Sequence, residues 1–170
     1  MNCEGCGEYV VCAGTGRPPH FCSTRCWVAA YRARHSLPKA LTELDRWTRR
    51  NGKRPVTISG RSASSTSPAT WAPFAEVKRS TAGDGFGIML GDGLGCYDLD
   101  RCLDGDTLTD HAAELLASLN PIWVERSMSG SGLHIFVATD AAKGYRRNGV
   151  EFYPRSRFIA VTGDRFIQST

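Results

Sequence analysis

No stretch of this 170-residue chain approaches the ~20 consecutive apolar residues that a membrane-spanning helix needs, and nothing in it reads as a secretory signal. A bilayer-embedded protein and an exported disulfide scaffold are therefore poor starting points. Seven cysteines are an odd number, which a closed disulfide framework does not consume. No internal repeat is visible. Each half is also short of one sign of charge. Residues 1 to 80 carry five Asp/Glu against 13 Lys/Arg, and residues 81 to 170 carry 12 Asp/Glu against eight Lys/Arg. A basic front half suits contact with a nucleic-acid backbone, and the acidic back half offers carboxylates for cations. What is present is ordinary for a globular protein: 41% hydrophobic residues, enough for a real core.

The cysteines have a pattern. Cys3-x₂-Cys6 and Cys22-x₃-Cys26 are separated by 15 residues, the paired spacing of a structural zinc site. Each pair supplies two thiolates, and four close a tetrahedron. The intervening Gly7 to Phe21, with Gly14, Gly16, Pro18 and Pro19, suits a hairpin with little core of its own. Ser23 is placed to cap a helix starting near Thr24, which gives a treble-clef or zinc-ribbon arrangement. Cys12 and His20 are spare candidates, and His20 is an alternative fourth ligand. Cys96 and Cys102 read as core filler.

The back half holds three segments with chemical potential. In Gly95 to Asp100, a short apolar strand delivers Asp98 and Asp100. Residues i and i+2 of a strand project the same way, so the two carboxylates either share a cation, with oxygen ligands selecting Mg²⁺ or Mn²⁺, or sit in a solvated turn. Ser127 to Val137 is a Gly/Ser loop, including Ser129, Gly130, Ser131 and Gly132, followed by a strand with His134 at its entrance. Glycines allow backbone amides close to an anion; the alternative is a plain hairpin turn. Gly149 to Gly163 sets Glu151 in an apolar strand, where a lone acid needs a partner or a metal. Arg155 and Arg157 then flank a turn, free to pair with Glu151 or to bind phosphate as forks.

A basic group of Arg32, Arg34, Lys39, Arg46, Arg49, Arg50, Lys53 and Arg54, interleaved with Trp27, Tyr31 and Trp47, suits a nucleic-acid track; Trp47 fits the core better. Pro38 is expected to start a helix through about Arg50, because Leu37, Leu41, Leu44 and Trp47 recur at helical spacing. A loop over 59 to 70 and a short helix near 72 to 79 follow. Strands are expected near 86 to 90, 95 to 99, 122 to 126, 133 to 138, 149 to 153 and 157 to 162. Asp106 to Leu119 reads as an amphipathic helix, with Asp104, Asp106 and Asp110 explained by its dipole. The sum is an α+β protein, mostly antiparallel sheet with flanking helices.

Taken together, Asp98-x-Asp100, Ser129 to His134, Val150-Glu151-Phe152-Tyr153 and Arg157 to Gly163 resemble, in order and spacing, the primase-polymerases of the archaeo-eukaryotic primase superfamily. The likeness is to the bifunctional DNA primase/polymerase domains of phage and plasmid replication proteins. It extends upstream through Lys53 to Val56, Ala63 to Trp71 and Gly85 to Leu90, covering about residues 50 to 166. Along the chain the residues read as a zinc module over 1–35 and a helical linker or first catalytic helix over 36–52, and the resemblance makes 53–170 the catalytic domain. It also implies template-dependent nucleotidyl transfer, that is primer synthesis or extension, on single-stranded DNA. Asp98, Asp100 and Glu151 would hold two Mg²⁺ or Mn²⁺ ions. Ser129, Gly130, Ser131, Gly132 and His134 would grip the triphosphate of a nucleoside triphosphate, and Arg155 and Arg157 would neutralise its charge. Cys3, Cys6, Cys22 and Cys26 would hold structural Zn²⁺.

A bacterial cytoplasm, with unwinding left to a separate replicative helicase and no membrane partner, is the expected setting. Two rivals compete with this reading. One is a non-catalytic DNA-binding accessory that keeps the fold; the other is a metal-dependent nuclease using the same acids.

Overall fold

The computed structural model describes residues 1–11 and 19–168. The chain divides into two compact units, Met1–Ser36 and Leu37–Thr170. In the first, helix α1 (Thr24–His35) starts where the sequence says it should. The Ser23 side chain accepts a hydrogen bond from the Cys26 amide (3.2 Å), satisfying one of the orphan donors of the first turn. Cys12, Gly14, Gly16 and Pro18 lie outside the described residues, as does the side chain of Arg34.

The second unit begins with the one-turn helix α2 (Lys39–Thr42), strand β1 (Trp47–Asn51) and strand β2 (Arg54–Val56). This corrects the helix expected from Pro38 to Arg50. Leu41 and Trp47 are fully buried, as helical spacing suggested, but β1 pairs with β2 on one side and with a later strand on the other. That long-range ladder satisfies the backbone and overrides the local 3.6-residue period. Residues 36–52 are accordingly neither a linker nor a single helix.

A 3₁₀ turn (Pro68–Thr70), α3 (Phe74–Arg79), β3 (Gly85–Met89) and β4 (Leu94–Leu99) follow close to expectation. Then comes a small hairpin, β5 (Leu103–Asp104) and β6 (Thr107–Leu108), turning at Gly105 with φ +59°. Asp-Gly is a hairpin signal, and it explains why α4 spans Asp110–Ser118 rather than starting at Asp106. Asp106 does not cap that helix; it pairs with Arg126. The remaining strands are β7 (Pro121–Arg126), β8 (Leu133–Ala138), β9 (Tyr145–Arg147), β10 (Val150–Tyr153) and β11 (Phe158–Val161). Strands β2, β5, β6 and β9 were not foreseen; each has two or three residues, too few to show a period.

All pairings among these strands are antiparallel. They form a four-stranded sheet, β11-β3-β1-β2, and a five-stranded sheet, β7-β8-β4-β10-β9. The expected α+β class holds. One apolar cluster is shared by the two sheets, with Trp47, Ile88, Ile159 and Val161 from the first and Cys96, Trp123 and Phe136 from the second. A second joins Leu133, Ile135, Val150 and Phe152 of the five-stranded sheet to Ala112, Leu115 and Leu116 of α4. Cys96 and Cys102 are buried in these clusters, as expected of core filler. Among the described residues, no helix is long and apolar enough to cross a membrane.

Candidate functional site

Register decides what the five-stranded sheet presents. Directly paired residues on neighbouring antiparallel strands share a face. Cys96 pairs with Phe136 and Tyr153, and Phe136 with Trp123, which makes one largely apolar row. Two residues along, on the same face, Glu125 pairs with His134, His134 with Asp98, Asp98 with Glu151, and Glu151 with Arg146. A row of five polar side chains thus crosses all five strands, next to the apolar row.

Glu125 anchors this row. It is 0% exposed, and its carboxylate accepts hydrogen bonds from Trp123 Nε1 (3.0 Å), the Thr162 amide (3.0 Å), the Gly163 amide (3.0 Å) and His134 Nδ1 (3.1 Å). A buried carboxylate is tolerated only when so fully partnered. Gly163 adopts φ +71°, a left-handed conformation that glycine takes at no steric cost, and its amide is one of the donors. The Thr162-Gly163 pair is thereby structural, binding Glu125 through its backbone. With its other lone pairs engaged by N–H groups, Glu125 can only accept from the ring, so Nδ1 carries the proton. Nε2 then lies 3.8 Å from Asp98 Oδ1. Glu125 was missed in the sequence; its signal was an acid in the alternating Trp123-Val124-Glu125 pattern, facing inward beside Trp123.

A cleft of about 160 Å³ opens at Asp98, Asp100 and His134. It is lined further by Lys53, Ser127, Ser129 and Arg157. Burial raises the pKa of Asp98 above its ordinary value. His134 opposes the shift, Asp100 and Glu151 add to it, and Arg157 opposes it. A carboxylate penalised by burial is what a cation relieves. The Ser127–Gly132 loop is a tight connection of β7 to β8, closed by Ser127 N donating to Gly132 O (2.9 Å) and Gly130 N to Ser127 O (2.9 Å). The Ser131 amide donates to Ser129 Oγ (3.4 Å). The amides of Gly130 and Ser131 are thus engaged within the loop, and Ser127 and Ser129, whose hydroxyls lie 3.0 Å apart, line the cleft.

Not every expected residue converges. Glu151 is buried and pairs with Arg146, while Tyr153 Oη donates to it; neither Arg155 nor Arg157 is its ion-pair partner. Arg155 reaches the Ala142 carbonyl through Nε (3.2 Å) and Nη2 (2.5 Å) and does not line the cleft. Arg157 does, with its guanidinium 4.5 Å above the Tyr153 ring. Three of the eight residues of the basic track prove structural. Arg46 is buried against the Met89 and Gly91 carbonyls and Asp92, Arg49 binds the Ala82 carbonyl (2.5 Å) and Arg50 pairs with Asp84 (2.6 Å). Trp47 is core, as anticipated. Trp27 and Tyr31 stay about half exposed and stack 5.7 Å apart on α1.

The second candidate centre lies in the N-terminal unit. The Sγ atoms of Cys3, Cys6, Cys22 and Cys26 all fall within 4.8 Å of one another, with Cys6–Cys22 at 3.5 Å and Cys22–Cys26 at 3.4 Å. Tetrahedral Zn–S bonds of about 2.3 Å put sulfurs ~3.8 Å apart, so the four can hold a metal ion such as zinc. The Cys22 amide (3.3 Å) and the Gly5 amide (3.4 Å) donate to Cys3 Sγ. The first of these bonds is the largest influence drawing the Cys3 thiol down to about 6, whereas crowding by the Cys26, Cys6 and Cys3 sulfurs pushes Cys22 up to about 12. His20 is not part of the set; its Nδ1 meets Glu4 Oε1 at 2.6 Å. Among the described residues this is the one group of three or more Cys, His, Asp or Glu gathered closely enough to hold an ion. No protein-family model matches the chain, and no curated protein matches it.

Proposed function

We propose that residues 37–170 carry out template-dependent nucleotidyl transfer on single-stranded DNA, as a primase-polymerase of the archaeo-eukaryotic type. The observation that carries this reading is the convergence of Asp98, Asp100, His134, Ser129 and Arg157 on one cleft. These come from three separate segments whose motifs carry the resemblance. A carboxylate pair facing a cation-and-hydroxyl wall fits a triphosphate bound through a divalent ion. The cleft volume is below the 300–1,000 Å³ of whole small-molecule sites, so it takes the phosphate end of a nucleotide, with base and sugar outside.

Asp98 and Asp100 are the residues that would hold Mg²⁺ or Mn²⁺, their oxygen donors and unrelieved charge fitting a hard cation. Glu151 joins them once Arg146 is displaced. Held there, such ions would supply positive charge toward an attacking hydroxyl and a departing pyrophosphate. The protein's own residues position the rest. Lys53 and Arg157 neutralise phosphate oxygens, and the Ser127 and Ser129 hydroxyls donate to them. His134, its ring fixed by Glu125, turns Nε2 toward Asp98 and so positions that carboxylate. In the N-terminal unit, a cysteine turn followed by a cysteine pair at the start of α1, Cys22 before the cap and Cys26 in the first turn, reads as a treble-clef zinc module that helps engage template or the initiating nucleotide.

The Glu125–His134 pairing also favours a second reading, phosphodiester hydrolysis with His134 as base toward water. Primer synthesis separates the two. Wild-type protein is incubated with single-stranded DNA, labelled nucleoside triphosphates and Mg²⁺ or Mn²⁺, beside Asp98→Ala and Asp100→Ala. Extended product from wild type alone supports polymerisation. Shortened template without incorporation supports hydrolysis, and neither product from folded, zinc-loaded protein removes the catalytic reading.

A further inference from the structure

Outside the cleft, the edge of the five-stranded sheet carries a charge pattern that catalysis does not use. Residues 141–149 contain Lys143, Arg146 and Arg147 and no acid, and β9 within them is exposed at every position. Register splits its side chains between faces. Arg146 lies on the cleft face opposite Glu151, while Tyr145 and Arg147 lie on the other face, opposite Phe152 and Val150. Between β9 and α4 lies a groove of about 660 Å³, with Leu115 and Val150 as its apolar lining and His111, Tyr145, Arg146, Arg147 and Asn148 around it.

Tyr145 gives the groove an aromatic surface. It is 49% exposed, yet its ring is held by Phe152 (centroids 5.7 Å) and Tyr97 (6.4 Å). A ring that is half exposed and already ordered loses little entropy on stacking against a base. Arg155 adds a guanidinium at the start of the same segment, on the Ala142 carbonyl.

We propose that this edge is a binding track for single-stranded nucleic acid, with Lys143 and Arg147 on phosphates and Tyr145 stacked on a base. The proposal rests on the nucleotidyl-transfer reading only in naming the strand as template; the track itself needs no chemistry. Cations flanking an aromatic over an apolar floor match the alternation of charge and base in a single strand. An acidic peptide would use the cations but leave the ring and floor without a flat partner.

The test is fluorescence anisotropy of a labelled oligodeoxynucleotide with the full zinc-loaded chain over a salt series. Lys143→Glu/Arg147→Glu and Tyr145→Ala are compared with wild type, and folding is checked by thermal unfolding. Loss of two phosphate contacts should reduce the slope of log K against log salt by about 1.4. Tyr145→Ala, or Tyr145→Leu where alanine does not fold, should weaken binding about tenfold. Unchanged affinity and slope in a folded charge-reversal variant overturn the proposal, as does equal competition by polyglutamate at matched charge, or no binding by wild type. Altered binding in a protein that makes no primer leaves the track standing and removes the polymerase reading.

Discussion

Replacing Asp98 by asparagine should make the protein more stable while ending catalysis. Asp98 Oδ1 lies 3.8 Å from His134 Nε2, and its side chain is 26% exposed. Burial, Asp100 and Glu151 raise its pKa. The folded state therefore holds the Asp98 proton more tightly than the unfolded state, and stability from this group falls as pH rises from the ordinary carboxylate range through the raised value. Two carboxylates ~6 Å apart repel by roughly 3 kcal/mol at an effective dielectric of 20, and salt together with the facing Arg157 reduces this to about 1 kcal/mol. For a chain of this size that is a rise in Tm of roughly 2–4 °C. Thermal unfolding in divalent-free buffer, with zinc retained, should show Asp98→Asn above wild type at pH 8 and the gap closing toward pH 4. Saturating Mn²⁺, at ~100 times its Kd, should stabilise wild type by about 2.7 kcal/mol and the variant by much less. A variant less stable than wild type at pH 8, with no Mn²⁺ effect on either, would refute the reasoning. Asp98 would then be a satisfied structural acid.

Glu125→Ala strands four buried donors and should cost ~3 kcal/mol or more. Glu125→Gln keeps the volume but sets an amide NH₂ against N–H donors, so it should lose activity as His134 reorients; an unchanged pH–rate profile in a folded Gln variant would show that Glu125 only supports the fold. Gly132→Ala would bring a Cβ within 2.5 Å of the Leu99 carbonyl oxygen and should destabilise by about 1–3 kcal/mol, read as a lowered denaturation midpoint with the m-value unchanged. Cys3→Ser should reduce bound zinc, measured by elemental analysis, and loosen residues 1–36 while leaving the unfolding of 37–170 in place. It should also impair initiation more than extension of a preformed primer, and equal loss of both would end that division of labour.

The sequence by itself determined the features whose physics is local. Cysteine spacing located the four sulfurs, Ser23 located the start of α1, and i, i+2 alternation located β4 with Asp98 on the face of Cys96; Asp100 lies beyond the strand, in the turn that follows it. It also determined that Trp47 is core, but not in what element, because Leu41 and Trp47 can be buried by a turn and a strand as well as by a helix. Tertiary structure decided everything that depends on strand pairing. Register alone aligns Glu125, His134, Asp98, Glu151 and Arg146, residues that are up to 53 positions apart in the chain, and a one-residue slip in any strand would turn its member to the opposite face. The same pairing gave Glu151 to Arg146 rather than to Arg155 or Arg157, and turned Arg46, Arg49 and Arg50 from a surface track into internal partners. Charge and motif were readable residue by residue; which charge meets which is fixed by contacts between distant strands, and those are set by the packing of the whole chain.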